Sequence, residues 1–221
     1  MRFCLLLAII AGAFIFPSYA QTQLPTPDYP QFYGGISCML GNYEVTYPKI
    51  GSYDETVFSP GLTVGYQFAS RAAVQVSIAK SQDALSIDRF MPLPDGSTYR
   101  FQHYQENHQN FAVPIILRLN GTRKPERRLQ FDALAGFVIT HASYSRAFEG
   151  FNEQQQPISY SEQIEQTTNV ALSIGGGIRY RFGRHFEAVG DANLNRTLSS
   201  AAGSGFVNVY TLGLRYRFGY R

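Results

Sequence analysis

Residues 177–183 read GIRYRFG and residues 213–219 read GLRYRFG. Both stretches alternate strictly. In an extended strand side chains point to opposite faces with a period of two. Ile178, Tyr180 and Phe182 then share one face, and Gly177, Arg179, Arg181 and Gly183 the other. Leu214, Tyr216 and Phe218 repeat the apolar face, and Gly213, Arg215, Arg217 and Gly219 the cationic one. Two arginines aimed the same way from one strand cannot enter an ordinary apolar core without partners. The fold must therefore give them a polar enclosure or leave them in water.

The first twenty residues have the layout of a secretory signal peptide. Arg2 opens it, an apolar run follows from Leu5 to Phe16, and Ser18-Tyr19-Ala20 is a small-x-small cleavage site before Gln21. Cleavage after Ala20 removes twenty of 221 residues and leaves a mature chain of 201. Cys4 lies inside the signal, so the mature chain keeps only Cys38 and can form no internal disulfide. An exported chain of this size without disulfides needs a large core or a bilayer to stabilise it. With Arg2 gone the formal charge falls from +3 to +2, and no basic run or basic-aromatic motif points to nucleic acid. After the signal, no stretch reaches the ~20 apolar residues of a membrane helix. Alternating segments dominate, and Gly (20), Tyr (15) and Phe (17) are abundant, so the chain is predicted to be all-β.

Residues 21–31, with three prolines, form a lead-in, and residues 32–221 form one barrel domain. Eight strands are predicted near 32–44, 58–69, 72–81, 111–120, 129–144, 167–182, 186–196 and 206–220. Residues 45–57 and 146–165 read as polar loops. Residues 82–110 read as a tall hairpin that continues the third and fourth strands around the turn at Pro92–Gly96. Pro114 removes a ladder bond from its strand, and a bulge is expected there. Connections after the second, fourth and sixth strands are short, and the others mostly long. That alternation is the layout of an eight-stranded antiparallel up-and-down transmembrane β-barrel, with short turns in the periplasm and long ones outside. Its location would be the outer membrane.

Alternation by itself does not say which face is inside. A soluble lipocalin-like barrel binding an apolar ligand would have the opposite arrangement. Three features favour the membrane reading. The polar face is rich in glycine, as a narrow eight-stranded interior requires. The apolar face carries almost no charge at mid-strand. Its aromatics gather toward the strand ends, Phe32, Phe68, Tyr180, Phe182, Phe186, Tyr216, Phe218 and Tyr220 at the short-turn end and Phe58 and Phe111 nearer the other. The charges on the polar face also close up. Folding the chain about its turns sets Arg181 opposite Glu187, Glu187 near Arg215, and Arg118 near Gln130 and Asp132. Arg179, Arg217 and Asp191 join the same interior network. The lumen is expected to be a filled polar core without a large pore.

Over the whole mature chain, the sequence resembles the outer-membrane β-barrel domain proteins of Bacteroidetes, a porin-like family near the PorT group. In architecture that family is related to the small OmpA/OmpX-type barrels. The resemblance rests on the signal peptide, FAVPIIL at 111–117, the glycine-rich strand SIGGGIRYRF and a closing strand ending in aromatics. The closing strand is similar to the signal read by the barrel-assembly machinery, although Arg221 follows the last aromatic, Tyr220. The resemblance implies a fold, a location in contact with outer-membrane lipid, and a structural or surface-interaction role. It implies no cofactor and no reaction. An extracellular ligand or partner would be met by the 82–110 and 146–165 segments.

One constellation could carry chemistry. His141 and Ser143 share the outward face near the outer rim, resembling the His-x-Ser of lipid A deacylases, and Glu149 or Glu153 could orient the base. Tyr144 stands where that family has Asn, and the motif comes earlier in the barrel. Two polar residues leaving the lipid explain the pattern more simply. His103, Glu106 and His108 in HYQENH mix the two faces of a strand, which suits a solvated hairpin better than a metal site. His185 is expected to be exposed in a turn. NGT at 120–122 and NRT at 195–197 match glycosylation sequons.

Overall fold

The computed structural model of the chain describes residues 31–47, 51–122, 127–198 and 206–218. The signal peptide, most of the lead-in and the final Tyr220-Arg221 lie outside them. Eight strands run in chain order: β1 (Gln31–Tyr47), β2 (Gly51–Ala69), β3 (Ala72–Pro92), β4 (Thr98–Asn120), β5 (Leu129–Phe151), β6 (Pro157–Arg181), β7 (Phe186–Thr197) and β8 (Phe206–Arg217). Each pairs antiparallel with the next, and β8 closes on β1.

The apolar faces point outward. Phe32, Leu62 and Ile174 are 61, 65 and 59 % exposed, whereas the alternating partners Tyr33, Thr63 and Ser173 are buried. This is the reverse of a lipocalin-like interior, so the inverted-face alternative does not hold. The outward band runs on β4 from Phe111 to Leu119 and on β5 from Leu129 to Ile139. At ~3.4 Å per residue and a tilt of ~40°, such a run spans roughly the ~25 Å apolar band of an outer-membrane barrel.

Around the short-turn end the aromatics touch one another in sequence. Tyr180 and Phe182 lie 6.4 Å apart between ring centres, Phe182 and Phe186 6.2 Å, Phe186 and Tyr216 5.3 Å, and Tyr216 and Phe218 5.0 Å. Phe32 and Tyr66 extend the series at 4.8 Å. Rings with one apolar face and one wet edge suit the level of lipid headgroups. Arg71, Arg127, Arg128 and Arg184 occupy the short connections just beyond this girdle.

The strands are longer than expected. The 45–57 and 146–165 stretches are not loops for most of their length. β1 and β2 pair through to Tyr47 and Gly51, and β5 and β6 through to Phe151 and Pro157. The ladder runs on through polar residues such as Ser, Thr, Gln and Tyr that carry no apolar alternation, and this hid the strands from a hydrophobic pattern. The 82–110 hairpin is as expected, pairing through to Pro92 and Thr98, with its tip turning at Gly96 (φ 82°). β3 to β6 thus continue as a four-stranded blade outside the apolar band, while β7 and β8 stop near its edge.

Pro114 produces no bulge. It pairs with Val138 on β5, and on its β3 side the ladder omits Ser77 and Ile78 and resumes in the same register at Ala79 and Ala112. The missing N–H is absorbed as a gap because the flanking pairs already hold the register.

Close approach of neighbouring strands fixes some interior glycines. A Cβ on Gly136 would collide with the Ile115 carbonyl oxygen and fall 2.9 Å from the Ile116 Cα, both of which are backbone. Gly190 has only the Leu212 side chain at 3.5 Å, an ordinary contact. Gly136→Val is therefore expected to lower barrel stability by about 1–3 kcal/mol, read as a lower urea midpoint of the folded form in detergent, while Gly190→Ala leaves that midpoint nearly unchanged.

Candidate functional site

The closed interior is the most organised polar site of the protein. Eight strands leave a space that side chains can fill, and the register delivers charges to it from β4 to β8. Arg181 faces Glu187 across β6 and β7, and Glu187 faces Arg215 across β7 and β8. Arg118, Asp132, Arg179, Arg181, Glu187, Asp191, Arg215 and Arg217 are all buried.

Three carboxylates organise five arginines. Asp132 accepts from Arg118 Nη2 at 2.7 Å and from Arg179 Nη2 at 2.8 Å. Asp191 accepts from Arg118 at 2.7 and 2.9 Å, a bidentate pair that fixes the guanidinium plane. Glu187 accepts from Arg181 Nε at 2.9 Å and from Arg217 Nη1 at 2.6 Å, with Arg179 at 3.9 Å. Gly177 makes room for the Arg118–Asp191 pair: a Cβ there would collide with Asp191 Oδ1 and approach Arg118 Nη2 to 2.9 Å.

Five arginines against three carboxylates leave two formal positive charges, and neutral oxygens take up the excess. Gln75 Oε1 accepts from Arg215 at 2.5 Å and from Arg118 at 3.3 Å. Gln31 and Gln67 accept from Arg217 at 2.6 and 2.5 Å. The Tyr33 ring lies 4.9 Å from the Arg215 guanidinium carbon, a cation–π contact.

The sequence pairing was right for Arg181 with Glu187 and for Arg118 with Asp132. Glu187 also lies directly across from Arg215, as expected, although the Arg215 guanidinium extends to Gln75 and the Tyr33 ring, with Asp191 at 3.9 Å, and Arg217 donates to the Glu187 carboxylate. Gln130 accepts from Asn120 at 3.2 Å. The glutamines were missed because a buried amide has no periodic or charge signature. Their only trace is that Gln31, Gln67 and Gln75 occupy inward positions near the short-turn end.

The lumen is polar only in part. Above the charged layer lies a small cavity of about 30 Å³, lined on one side by Asp191, Asn193 and Asn195 and on the other by Ile116, Leu134 and Val138. Met39 and Val209 also line it. Ala79, Ala112 and Ala142 are buried nearby on the inward face. The filled core is therefore a charged layer with a mixed layer over it, apolar on β4 and β5 and polar on β6 and β7. Toward the outside the interior ends in a polar cluster. The His108 ring packs at a tilt against Tyr144, 4.6 Å between ring centres, and its Nε2 lies 3.2 Å from Glu106, which also accepts from the Tyr104 hydroxyl at 2.9 Å.

His108 is thus buried, not part of a solvated tip. His103 lies on the opposite face and bonds Asp88; that hydrogen bond, with Arg100 nearby, holds the Asp88 carboxyl below its usual range. Among the described residues no group of three His, Cys, Asp or Glu side chains is placed to hold a metal. His185 is half-buried, stacked on Tyr216 at 5.3 Å. The sequon asparagines Asn120 and Asn195 are buried inward.

His141 and Ser143 do share the outward face, but their partners are not catalytic. His141 Nδ1 lies 2.9 Å from the Thr168 hydroxyl across the β5–β6 ladder. Ser143 is paired with Gln109 and Gln166. Glu149 is six residues beyond Ser143 on the same strand, about 20 Å away at the strand rise, and Glu153 lies past the end of β5. The three groups of a triad are not brought together.

No family model and no curated protein matches the chain. Solved structures do. It is similar to Ail, the attachment invasion locus protein of Yersinia pestis, at 14 % identity, over 86 % of this chain and 97 % of that one, with a TM-score of 0.46. It is similar to Neisserial surface protein A at 10 % identity, over 87 % and 100 %, with a TM-score of 0.45. It is similar to the outer membrane protein OprG of Pseudomonas aeruginosa at 13 % identity, over 86 % and 96 %, with a TM-score of 0.47. At these identities the likeness is one of fold.

Two predictions test the site. Glu187→Gln keeps the shape of the side chain but leaves Arg181 and Arg217 buried without their anion. It is expected to cost about 3–5 kcal/mol, seen as a lower urea midpoint, whereas Glu162→Gln on the exposed blade leaves the midpoint unchanged. His141→Ala and Ser143→Ala are expected to leave the acyl chains of lipid A unchanged when cell lipids are compared by mass spectrometry.

Proposed function

We propose that this protein is an integral outer-membrane β-barrel with a plugged lumen, working through the surface it presents outside the membrane. The observation that carries this reading is the pairing of an outward apolar band with an inward charged network. In water the band would expose Phe32, Leu62, Ile174 and their neighbours over the whole circumference, far more than a soluble monomer shows. In a bilayer the same band is solvated by lipid, and closure leaves no unpaired strand edge within it.

Transport through the barrel is disfavoured by the interior. A passing ion would have to cross the Met39, Ile116, Leu134, Val138 and Val209 layer and then displace paired arginines. The parts left to act are the four-stranded blade and the β1–β2 hairpin. Within the Bacteroidetes porin-like group near PorT, to which we assign the chain on its FAVPIIL and SIGGGIRYRF strands, the same surface-interaction role is expected. Insertion would use the barrel-assembly machinery through the closing strand.

The test is fractionation followed by gels of boiled and unboiled detergent extracts. The expected result is an outer-membrane protein that runs faster unboiled and forms no stable channels in planar bilayers. Recovery in the soluble periplasm without a heat shift would overturn the membrane assignment, and discrete long-lived conductance steps would overturn the plugged lumen.

A further inference from the structure

Among the described residues the blade has no strand paired on its β6 edge or on its β3 edge. β6 pairs with β5 over the blade from Ser159 to Val170, but its pairing with β7 begins only at Ala171 and Thr197. The last contact on that side is the Leu198 N–H to the Val170 carbonyl at 2.8 Å. Among the described residues no strand lies beside β6 from Ile158 to Asn169. Its backbone groups on that side form an open template for a further strand.

The same stretch carries exposed apolar side chains. Ile158, Tyr160 and Ile164 are 67, 61 and 60 % exposed and share the outward face. Ile164 is six residues beyond Val170, the last apolar residue of the band on β6, so about 20 Å along the strand. These side chains therefore lie outside the bilayer, where lipid does not cover them.

The opposite edge of the blade, on β3, is guarded. Lys80, Asp83, Asp88 and Arg89 put charges on both its faces, and Pro92 ends it. Such residues discourage strand addition. The β6 edge has Pro157 only at its start and no lysine or arginine through Val170.

Its charge is negative. Residues 141–168 hold Arg146 against Glu149, Glu153, Glu162 and Glu165. On the outward face Glu162 accepts from the Tyr160 hydroxyl at 2.8 Å, and Glu149 is the residue of β5 paired with Tyr160. A second copy of this chain in the same membrane would bring β6 to β6 in parallel and set these glutamates against their copies.

From the open edge, the apolar stripe and the glutamates together, we propose that Ile158–Asn169 of β6 binds an extended segment of another protein by strand addition. Because Ile158, Tyr160, Ile164, Glu162 and Glu149 all lie on one face of the sheet, the segment would carry on that same face both apolar residues, which cover Ile158, Tyr160 and Ile164, and a lysine or arginine, which meets Glu162 and Glu149, with polar residues at the positions between. This inference rests on the outer-membrane reading, because only that reading places the blade outside the bilayer.

The test uses the mature protein refolded in detergent micelles and a synthetic peptide of about ten residues whose alternate positions, on a single face, carry valine or tyrosine with one central lysine, and whose intervening positions are threonine. A peptide of the same composition with a central proline is the control. The heat shift is read on the same sample. The expected result is protection of amides 158–164 from hydrogen exchange by the first peptide only. Affinity should fall by at least about tenfold in Tyr160→Lys/Ile164→Lys, which keeps the heat shift, and should weaken at high salt. Leu85→Lys/Ile87→Lys on β3 should leave affinity unchanged.

An intact heat shift without peptide protection overturns this inference alone. Loss of the heat shift in the unmodified protein overturns the outer-membrane reading and this inference with it. Protection of Lys80–Pro92 in place of 158–164, protection that grows with protein concentration without peptide, or protection that requires lipopolysaccharide would each overturn it. Those results would identify the β3 edge, a second copy or lipid as what covers the blade.

Discussion

Burying arginine inside a narrow barrel is the constraint on which the structure depends. An isolated guanidinium in such a space would cost several kcal/mol in lost hydration. Arg118, Arg179, Arg181, Arg215 and Arg217 are tolerated because Asp132, Glu187 and Asp191 lie within reach on neighbouring strands. Closure of the ring brings them there. Arg217 on β8 reaches Gln31 on β1 and Gln67 on β2 only because β8 pairs with β1. The network therefore ties the chain's two ends together as well as filling its centre.

The rest of the barrel accommodates this filling. Gly177 leaves space for one ion pair, and Gly136 lets β4 approach β5. Over the charged layer Ile116, Leu134 and Val138 on adjacent strands share a small cavity with Asn193 and Asn195. Enclosure away from bulk water strengthens the ion pairs below it. Ion pairs contributed from β4 to β8 and the side chains above them fill the barrel, and the blade of β3 to β6 stands beyond it.

The eight strands and their apolar and polar faces were readable from alternation, because a strand with one face in lipid and one in a side-chain-filled lumen has a hydrophobic period of two. Beyond the band neither face meets lipid, the residues become mostly polar, and the hydrophobic period disappears. For this reason residues 45–57 and 146–165 read as loops although most of them pair in register. Pro114 shows the complementary case. Its missing N–H was visible, but whether the ladder would bulge or leave a gap depended on the pairs flanking it.

The sequence by itself determined the faces of the strands and the presence of an enclosed set of arginines and carboxylates, since both follow from residue type and a period of two. It also brought together Arg181 and Glu187, which are neighbours across one turn. Only the tertiary structure decided that Arg217 and not Arg215 takes Glu187, that three glutamines from β1, β2 and β3 absorb the excess charge, and that among the described residues β6 has no strand paired on one side from Ile158 to Asn169. Those outcomes depend on the tilt and stagger with which eight strands close, and shear is a property of the ring that no single strand encodes.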